Sequence, residues 1–306
     1  MISAKRFPVF AALPFLLPSL AGFVLFSFGP MVVSLLVSVS NWDALHELTL
    51  FSHPSAFFAE YFAGFENYKK LFTSAEFYQA LKNTLRFMLF YIPLILPFSI
   101  AASLILTRGG RAGAVFRVIC YIPVITSWVA GALIWRWVLS PEYGILNSLL
   151  ALIGVKGPAW LQSETWAMPG IVLASVWKDT GYFALMFFSG LIGIDKSCYE
   201  AADLDGANAP RKFFHITLPL LTPTLFFVLI IILISSFQLF PQVVIMTPDG
   251  GPGGSTYVMV ERIYVHAFRY YEMGYAAAMS WILFIIIFTF TAVQMKLQNR
   301  WVNYDR

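Results

Sequence analysis

Six stretches of this 306-residue chain stay mostly apolar over about 20 residues or more, the length an α-helix needs to cross a bilayer. They cover residues 10–40, 85–106, 115–139, 168–190, 223–244 and 275–295. Lipid offers no hydrogen-bond partner to a free backbone, so such spans must be helical. Composition agrees: 59% of residues are apolar and 12% charged. A soluble domain carries roughly 25% charged residues and cannot cover this much apolar surface with so few. The expected fold class is therefore all-α, a polytopic membrane protein with six transmembrane helices. Disorder, a collagen-like chain, a disulfide scaffold and a nucleic-acid binder are excluded. The first stretch is far longer than a signal-peptide core of about 7–15 residues and reads as a retained span. Pro93, Pro97, Pro123 and Pro241 interrupt the stretches. Each frees a carbonyl, which points to a neighbouring helix or a wet cavity that accepts it, although any one of them also reads as a plain kink.

Charge gives the orientation. With the N-terminus inside, Lys5, Arg6, Arg108, Arg111, Arg117, Lys196, Arg211, Lys212, Lys296, Arg300 and Arg306 fall inside. Lys69, Lys70, Lys82, Arg86, Arg136, Lys156, Arg262 and Arg269 fall outside, in longer segments. Basic density thus places both termini in the cytoplasm. Cys120 and Cys198 are too few for a disulfide framework and are expected as free thiols. Residues 41–84 are rich in aromatic and charged side chains and are expected to form short helices on the membrane surface.

Catalytic signatures are absent. No G-x-x-x-x-G-K-[ST] loop is present to bind ATP, and no G-x-S-x-G elbow. His46, His53, His215 and His266 have no ligand spacing, so neither a catalytic residue nor a metal site is assigned.

The loop over residues 194–219, between the fourth and fifth spans, carries the most local information. Ser197 and Glu200 have the S-x-x-E spacing of a capping box, and Gly206 suits the position just past a helix end. They bound a helix over residues 198–205, slim on the side of Ala201 and Ala202. Asn208 and Pro210 read as a second helix start, and Pro219 and Pro223 end that element and begin the fifth span. A stiff helix between two spans can enter a partner's cleft and carry its motion into the membrane. As residues alone, the same loop also reads as a capped, solvated connector.

Glu200-Ala201-Ala202, Gly206 and Ile216-x-Leu218-Pro219 fit the pattern E-A-A-x3-G-x9-I-x-L-P at every fixed position. The loop therefore resembles the EAA signature of ABC importer permease subunits. Gly64-Phe-Glu-Asn-Tyr68, the Thr247-to-Pro252 turn and Gly274-Tyr-Ala-Ala-Ala278 resemble the carbohydrate, maltose-type branch. The turn has one residue more than that branch usually shows. The resemblance implies a type I importer permease core and one transmembrane permease domain over residues 1–306. Within it lie a first span and extracytoplasmic segment (1–84), core spans (85–297) and the coupling loop (194–219). It implies that Glu200, Ala201, Ala202, Asp203, Asp205 and Gly206 contact a separate ATPase. Asp203, Asp205, Arg211 and Lys212 serve equally well as a solvated face. The partners implied are a second permease forming a heterodimer, two ATPase subunits, an extracytoplasmic solute-binding protein, a carbohydrate and membrane lipid. No cofactor is expected in this chain, since ATP and Mg2+ belong to the ATPase. The localisation implied is the bacterial cytoplasmic membrane.

Charged and polar side chains inside spans mark the path, because burying them in lipid is costly. Lys178 and Asp179 lie about ten residues into the fourth span. Neighbours at i,i+1 do not share a helix face, whereas Ser175, Asp179 and Tyr182 do. With Trp128, Ser235, Ser236 and Gln238 they form the candidate substrate path. Hydroxyl, carboxyl and ring groups suit a sugar, although Ser and Thr also mediate helix packing. The competing readings are the same machine serving glycerol phosphate or a polyol, with Lys178 meeting the phosphate, and an ion-coupled carrier using Lys178 and Asp179 as a relay.

Overall fold

The computed structural model describes residues 9–107 and 110–303, with side chains from residue 14 onward except at 110–112. Lys5, Arg6, Arg108 and Arg306 lie outside the described residues, as does the side chain of Arg111. Among the described residues the chain is helical, with one isolated bridge between Ser40 and Phe62.

The helices in order are α1 (Val9–Phe23), α2 (Gly29–Ser38), α3 (Pro54–Tyr61), α4 (Glu66–Thr73), α5 (Ala75–Leu106), α6 (Gly110–Ile125), α7 (Trp128–Val138) and α8 (Ile145–Leu152). They continue as α9 (Ala167–Ile192), α10 (Lys196–Leu204), α11 (Ala209–Lys212), α12 (Leu218–Leu220), α13 (Thr222–Phe237), α14 (Pro241–Met246), α15 (Met259–Phe268) and α16 (Met273–Leu297). A wider π turn, Val24–Phe28, joins α1 to α2, and another, Phe213–Thr217, joins α11 to α12. Among the described residues four helical stretches are long and apolar enough to cross a membrane: Pro14–Ser38, Ala75–Leu106, Ala167–Ile192 and Met273–Arg300. The count is six if each of two bent pairs is one span, Gly113–Ile125 with Trp128–Val138 and Ala209–Leu220 with Thr222–Phe237.

Two compact units partition the chain. The first comprises residues 1–74 and 263–282. In it the segment expected to form short helices before the second span carries two, α3 and α4. The Asn67 amide donates to the carbonyls of Ser38 and Ser40 at 3.0 and 2.8 Å, which ties α4 to the end of α2. Lys70 pairs with Glu272 at 2.6 Å, and His266 Nδ1 lies 2.7 Å from the other carboxyl oxygen. Partial burial works against the charged Glu272, yet these two contacts hold its carboxyl below the usual range.

The second unit comprises residues 75–262 and 283–306 and carries the main core. Phe87, Tyr91 and Ile95 of α5 pack with Ile171, Phe183 and Phe187 of α9, and Ile232 and Val243 close the cluster.

Three boundaries differ from the sequence expectation. The second span begins at Ala75 rather than near Leu85. Its polar first turns bind the loop that precedes α15: Gln79 donates to the carbonyls of Gly253 and Gly254, and Asn83 to that of Gly254, each at 3.0 Å. Buried Arg262 adds ion pairs to Glu76 and Glu261. Pro93 and Pro97 do not interrupt α5. The third span is two helices meeting at a bend of 102° after Pro123. The fifth breaks at residues 238–240, and Pro241 opens the short α14. Cys120 and Cys198 are free thiols.

Candidate functional site

Both breaks lead to one cavity of about 280 Å³. Irregular backbone at membrane depth is tolerated where protein buries it or where it lines a cavity. Trp128 opens α7 immediately after the first break. Gln238 and Leu239 lie in the second, and Pro241 and Gln242 follow it. The remaining wall is Phe87, Tyr91, Asp179, Tyr182, Phe183, Ser235 and Ser236. Six candidate path residues thus line a single space: Trp128, Asp179, Tyr182, Ser235, Ser236 and Gln238.

Asp179 is its charged group. Tyr91, stacked on Phe87 with ring centroids 4.9 Å apart, donates its hydroxyl to Asp179 Oδ2 at 2.8 Å. No hydrogen bond in the described chain engages Oδ1. Ser236 is committed to its own helix, donating to the Ile232 carbonyl at 2.6 Å. Gln242 is 7% exposed, and its Oε1 has no partner. A buried carbonyl oxygen without a donor is costly, and here it borders the space a ligand would enter.

Ser175 and Lys178 lie elsewhere. Ser175 is fully buried, its hydroxyl is unpartnered, and it does not line the cavity. The Lys178 ammonium points to the end of α6, where it donates to the carbonyls of Pro123, Val124 and Thr126. The helical offset between residues 178 and 179 sends the carboxylate to the cavity and the ammonium to the neighbouring helix. Among the described residues no Lys, Arg or His lines the cavity.

Tyr91 and Gln242 were not among the residues singled out by sequence. Tyr91 gives no signal beyond an aromatic in an apolar run. Gln242 does: it follows a mid-span proline in a stretch otherwise apolar.

The loop after α9 holds the other candidate residues. Its helix starts earlier than the capping-box spacing indicates. Asp195, not Ser197, is the N-cap: it is extended, and its carboxylate accepts from the Ser197 N–H at 2.9 Å. That contact lowers the pKa of Asp195 below the usual value. The far end is a Schellman turn. Gly206 has φ +71°, its N–H donates to the Asp203 carbonyl at 3.1 Å, and Ala207 N–H donates to Ala202 at 2.9 Å. Asn208 then caps α11 by accepting from Arg211 N–H at 3.1 Å, with Pro210 in the first turn. Pro219 does not end the element: helix continues to Leu220, and the bend falls at Leu221. Tyr199 and Thr217 hydroxyls meet at 2.9 Å, and Asp203 pairs with Lys212. Only Ala202 of α10 is buried. Glu200, Ala201, Asp203, Asp205 and Gly206 are exposed, and Leu204 is 91% exposed. The result is a short helix, fixed at both ends, that offers small, acidic and apolar side chains outward.

Comparison with known proteins agrees with this architecture. The chain is 36% identical over 299 residues to a probable ABC transporter permease protein, YesP, of Bacillus subtilis, covering 96% of this chain and 92% of that one. It is 34% identical over 245 residues to the arabinooligosaccharides transport system permease protein AraP of the same organism, covering 78% and 76%. The fold matches a chain of a bacterial ABC transporter involved in importing the acidic polysaccharide alginate, with a TM-score of 0.74 at 24% identity over 94% of this chain and 96% of that chain. Residues 95–303 match the model of one family, and with it the chain belongs to the binding-protein-dependent transport system inner membrane components.

Proposed function

We propose that this chain is the permease subunit of a binding-protein-dependent ABC importer and carries a neutral carbohydrate through the cavity at Asp179. The cavity carries the substrate class. Its wall combines one carboxylate, two carboxamides, two serine hydroxyls, two phenols and further aromatic rings, with no cation among the described residues. A carboxylate and an amide oxygen accept hydrogen bonds from sugar hydroxyls, and rings such as Trp128 and Tyr182 receive the apolar faces of a pyranose. An anionic solute such as glycerol phosphate would face Asp179 with no compensating charge on this chain's described wall, because Lys178 is engaged by carbonyls. The likeness to a permease named for arabinooligosaccharides supports the same class.

The chain is assigned no covalent chemistry. ATP and Mg2+ are assigned to two ATPase subunits, and α10 is proposed to dock in their cleft through Glu200, Ala201, Leu204 and the Gly206 turn. A second permease forms a heterodimer with this chain, and a solute-binding protein delivers the sugar on the other side. Both termini are placed in the cytoplasm on the distribution of Lys and Arg.

The test is uptake by proteoliposomes holding the assembled importer, with purified binding protein and a panel of sugars. Asp179→Asn is expected to raise KM about tenfold, since a hydrogen bond to a charged group contributes about 1.5–3 kcal/mol. An unchanged KM would remove Asp179 from the path. Solute movement by the isolated chain under an ion gradient, without ATP, would overturn the assignment to an importer.

A further inference from the structure

We propose that Lys178 is a positioning residue: its ammonium closes the open end of α6 and fixes the bend that sets Trp128 in the cavity wall. The second half of this statement rests on the reading of that cavity as the path.

A helix that stops leaves its last four carbonyls without intrahelical donors. Outside a membrane, water takes them. At the Ile125 end of α6 the chain supplies donors instead. Thr126 Oγ1 donates to the Ile122 carbonyl at 2.9 Å. Lys178 Nζ, delivered from α9, lies 2.8 Å from Pro123 O, 3.4 Å from Val124 O and 2.5 Å from Thr126 O. An ammonium has three donors, and three carbonyls surround this one. The residue is 7% exposed, so no solvent shell competes. A positive charge at a helix C-terminus is also favoured by the helix dipole. Lys178 therefore bonds to both sides of the last α6 residue, Ile125, and its ammonium lies 5.3 Å from the Trp128 ring centroid, on the first residue of α7. One side chain thus contacts the end of one helix, the break and the start of the next. From there α7 departs at 102°, with Ser127 Oγ accepting from Ala130 N–H at 3.3 Å as its own cap.

A buried lysine in a span reads at first as a solute-binding cation or a proton relay. Here its donors are spent on backbone, while Asp179 next to it faces the other way. What Lys178 contributes is the geometry of a broken helix, which no carboxylate, hydroxyl or apolar side chain at that position can close in the same way.

The experiment measures the bend directly. In the assembled importer, with Cys120 and Cys198 replaced by serine, spin labels are placed at the exposed positions Ile119 on α6 and Leu133 on α7. The distance distribution is recorded by double electron–electron resonance. With Lys178 present, one narrow peak is expected. Lys178→Met is expected to broaden or shift it, and Lys178→Arg, which keeps charge and multiple donors, to restore it. If the Met chain fails to insert, Lys178→Gln gives the same comparison with two donors and no charge. A wild-type distribution in the Met or Gln variant overturns the proposal. Sugar uptake is measured alongside, with a several-fold rise in KM expected for Lys178→Met. A broadened peak with unchanged KM keeps the clamp and removes the cavity from the path, so the two failures are distinguishable.

Discussion

Gly206→Pro is expected to abolish coupled uptake while leaving the membrane helices intact. Proline fixes φ near −65°, whereas Gly206 sits at +71°, and proline lacks the N–H that Gly206 gives to Asp203. The Schellman turn cannot form, so α10 loses its stop and the direction of its exposed face. The site is open, with nothing within 4 Å of a Cβ built on Gly206. No packed neighbour therefore obstructs a side chain there, and a graded series isolates the strain of the residue's own backbone conformation. Asparagine, which visits this region readily, should retain most uptake. Alanine should lose part of it, because the left-handed conformation costs an ordinary residue about 1–2 kcal/mol. Proline should fall furthest, by tenfold or more if the misdirected helix loses about 1.4 kcal/mol of docking. Glu200→Arg reverses charge on the same exposed face and should act without altering the turn. The measurements are uptake, ATPase activity stimulated by the binding protein, and the thermal midpoint of the purified importer. Normal uptake in both Gly206→Pro and Glu200→Arg would refute the coupling role of α10.

The Gly206 stop was legible because a C′ glycine is a local backbone requirement. The start of the same helix was not. Asp195 and Ser197 are both good N-caps two residues apart, and only the extended entry of the chain at Asp195 chooses between them. Hydropathy located the spans because transfer to lipid is a property of side chains. It missed the first ten residues of α5, where Gln79 and Asn83 look polar in sequence but serve as donors to loop carbonyls. The 102° bend was signalled by Pro123 only as a freed carbonyl. The donor that closes that helix end lies fifty-five positions from Pro123, on another helix, and it meets carbonyls left open by the stop rather than the Ile119 carbonyl the proline frees. The cavity shows the same division. Asp179 and Tyr182 were identified by charge and helical spacing within one span. Tyr91 was not, since its role exists only once α5 packs on α9. Lys178 and Asp179, adjacent in sequence and read together, separate into a structural clamp and a wall of the cavity. Position along a helix fixes the angle between them, but only packing decides what each one meets.

Gly181→Leu is expected to break the packing of α6 on α9 and to be severely damaging. Gly181 lies one turn beyond Lys178, on the face of α9 that meets α6. A Cβ there would stand 1.9 Å from the carbonyl oxygen of Cys120 and 3.0 Å from Val124 Cγ2. The first obstacle is backbone, so no rotamer change relieves it, and α6 must move away by more than an ångström. That retreat also draws Pro123, Val124 and Thr126 from the Lys178 ammonium, leaving a buried cation and several carbonyls short of partners. Overpacking alone costs about 1–3 kcal/mol, and an unsatisfied buried polar group adds a similar amount. Gly181→Ala should already lower the thermal midpoint in detergent, and leucine should leave little folded importer and reduce uptake by tenfold or more. Gly22→Ala is the control, because nothing lies within 4 Å of that position, and it should behave as wild type. If Gly181→Leu matched the control in both stability and uptake, α6 would not rest against α9 at Cys120, and the closure of the broken span by Lys178 would fall with it.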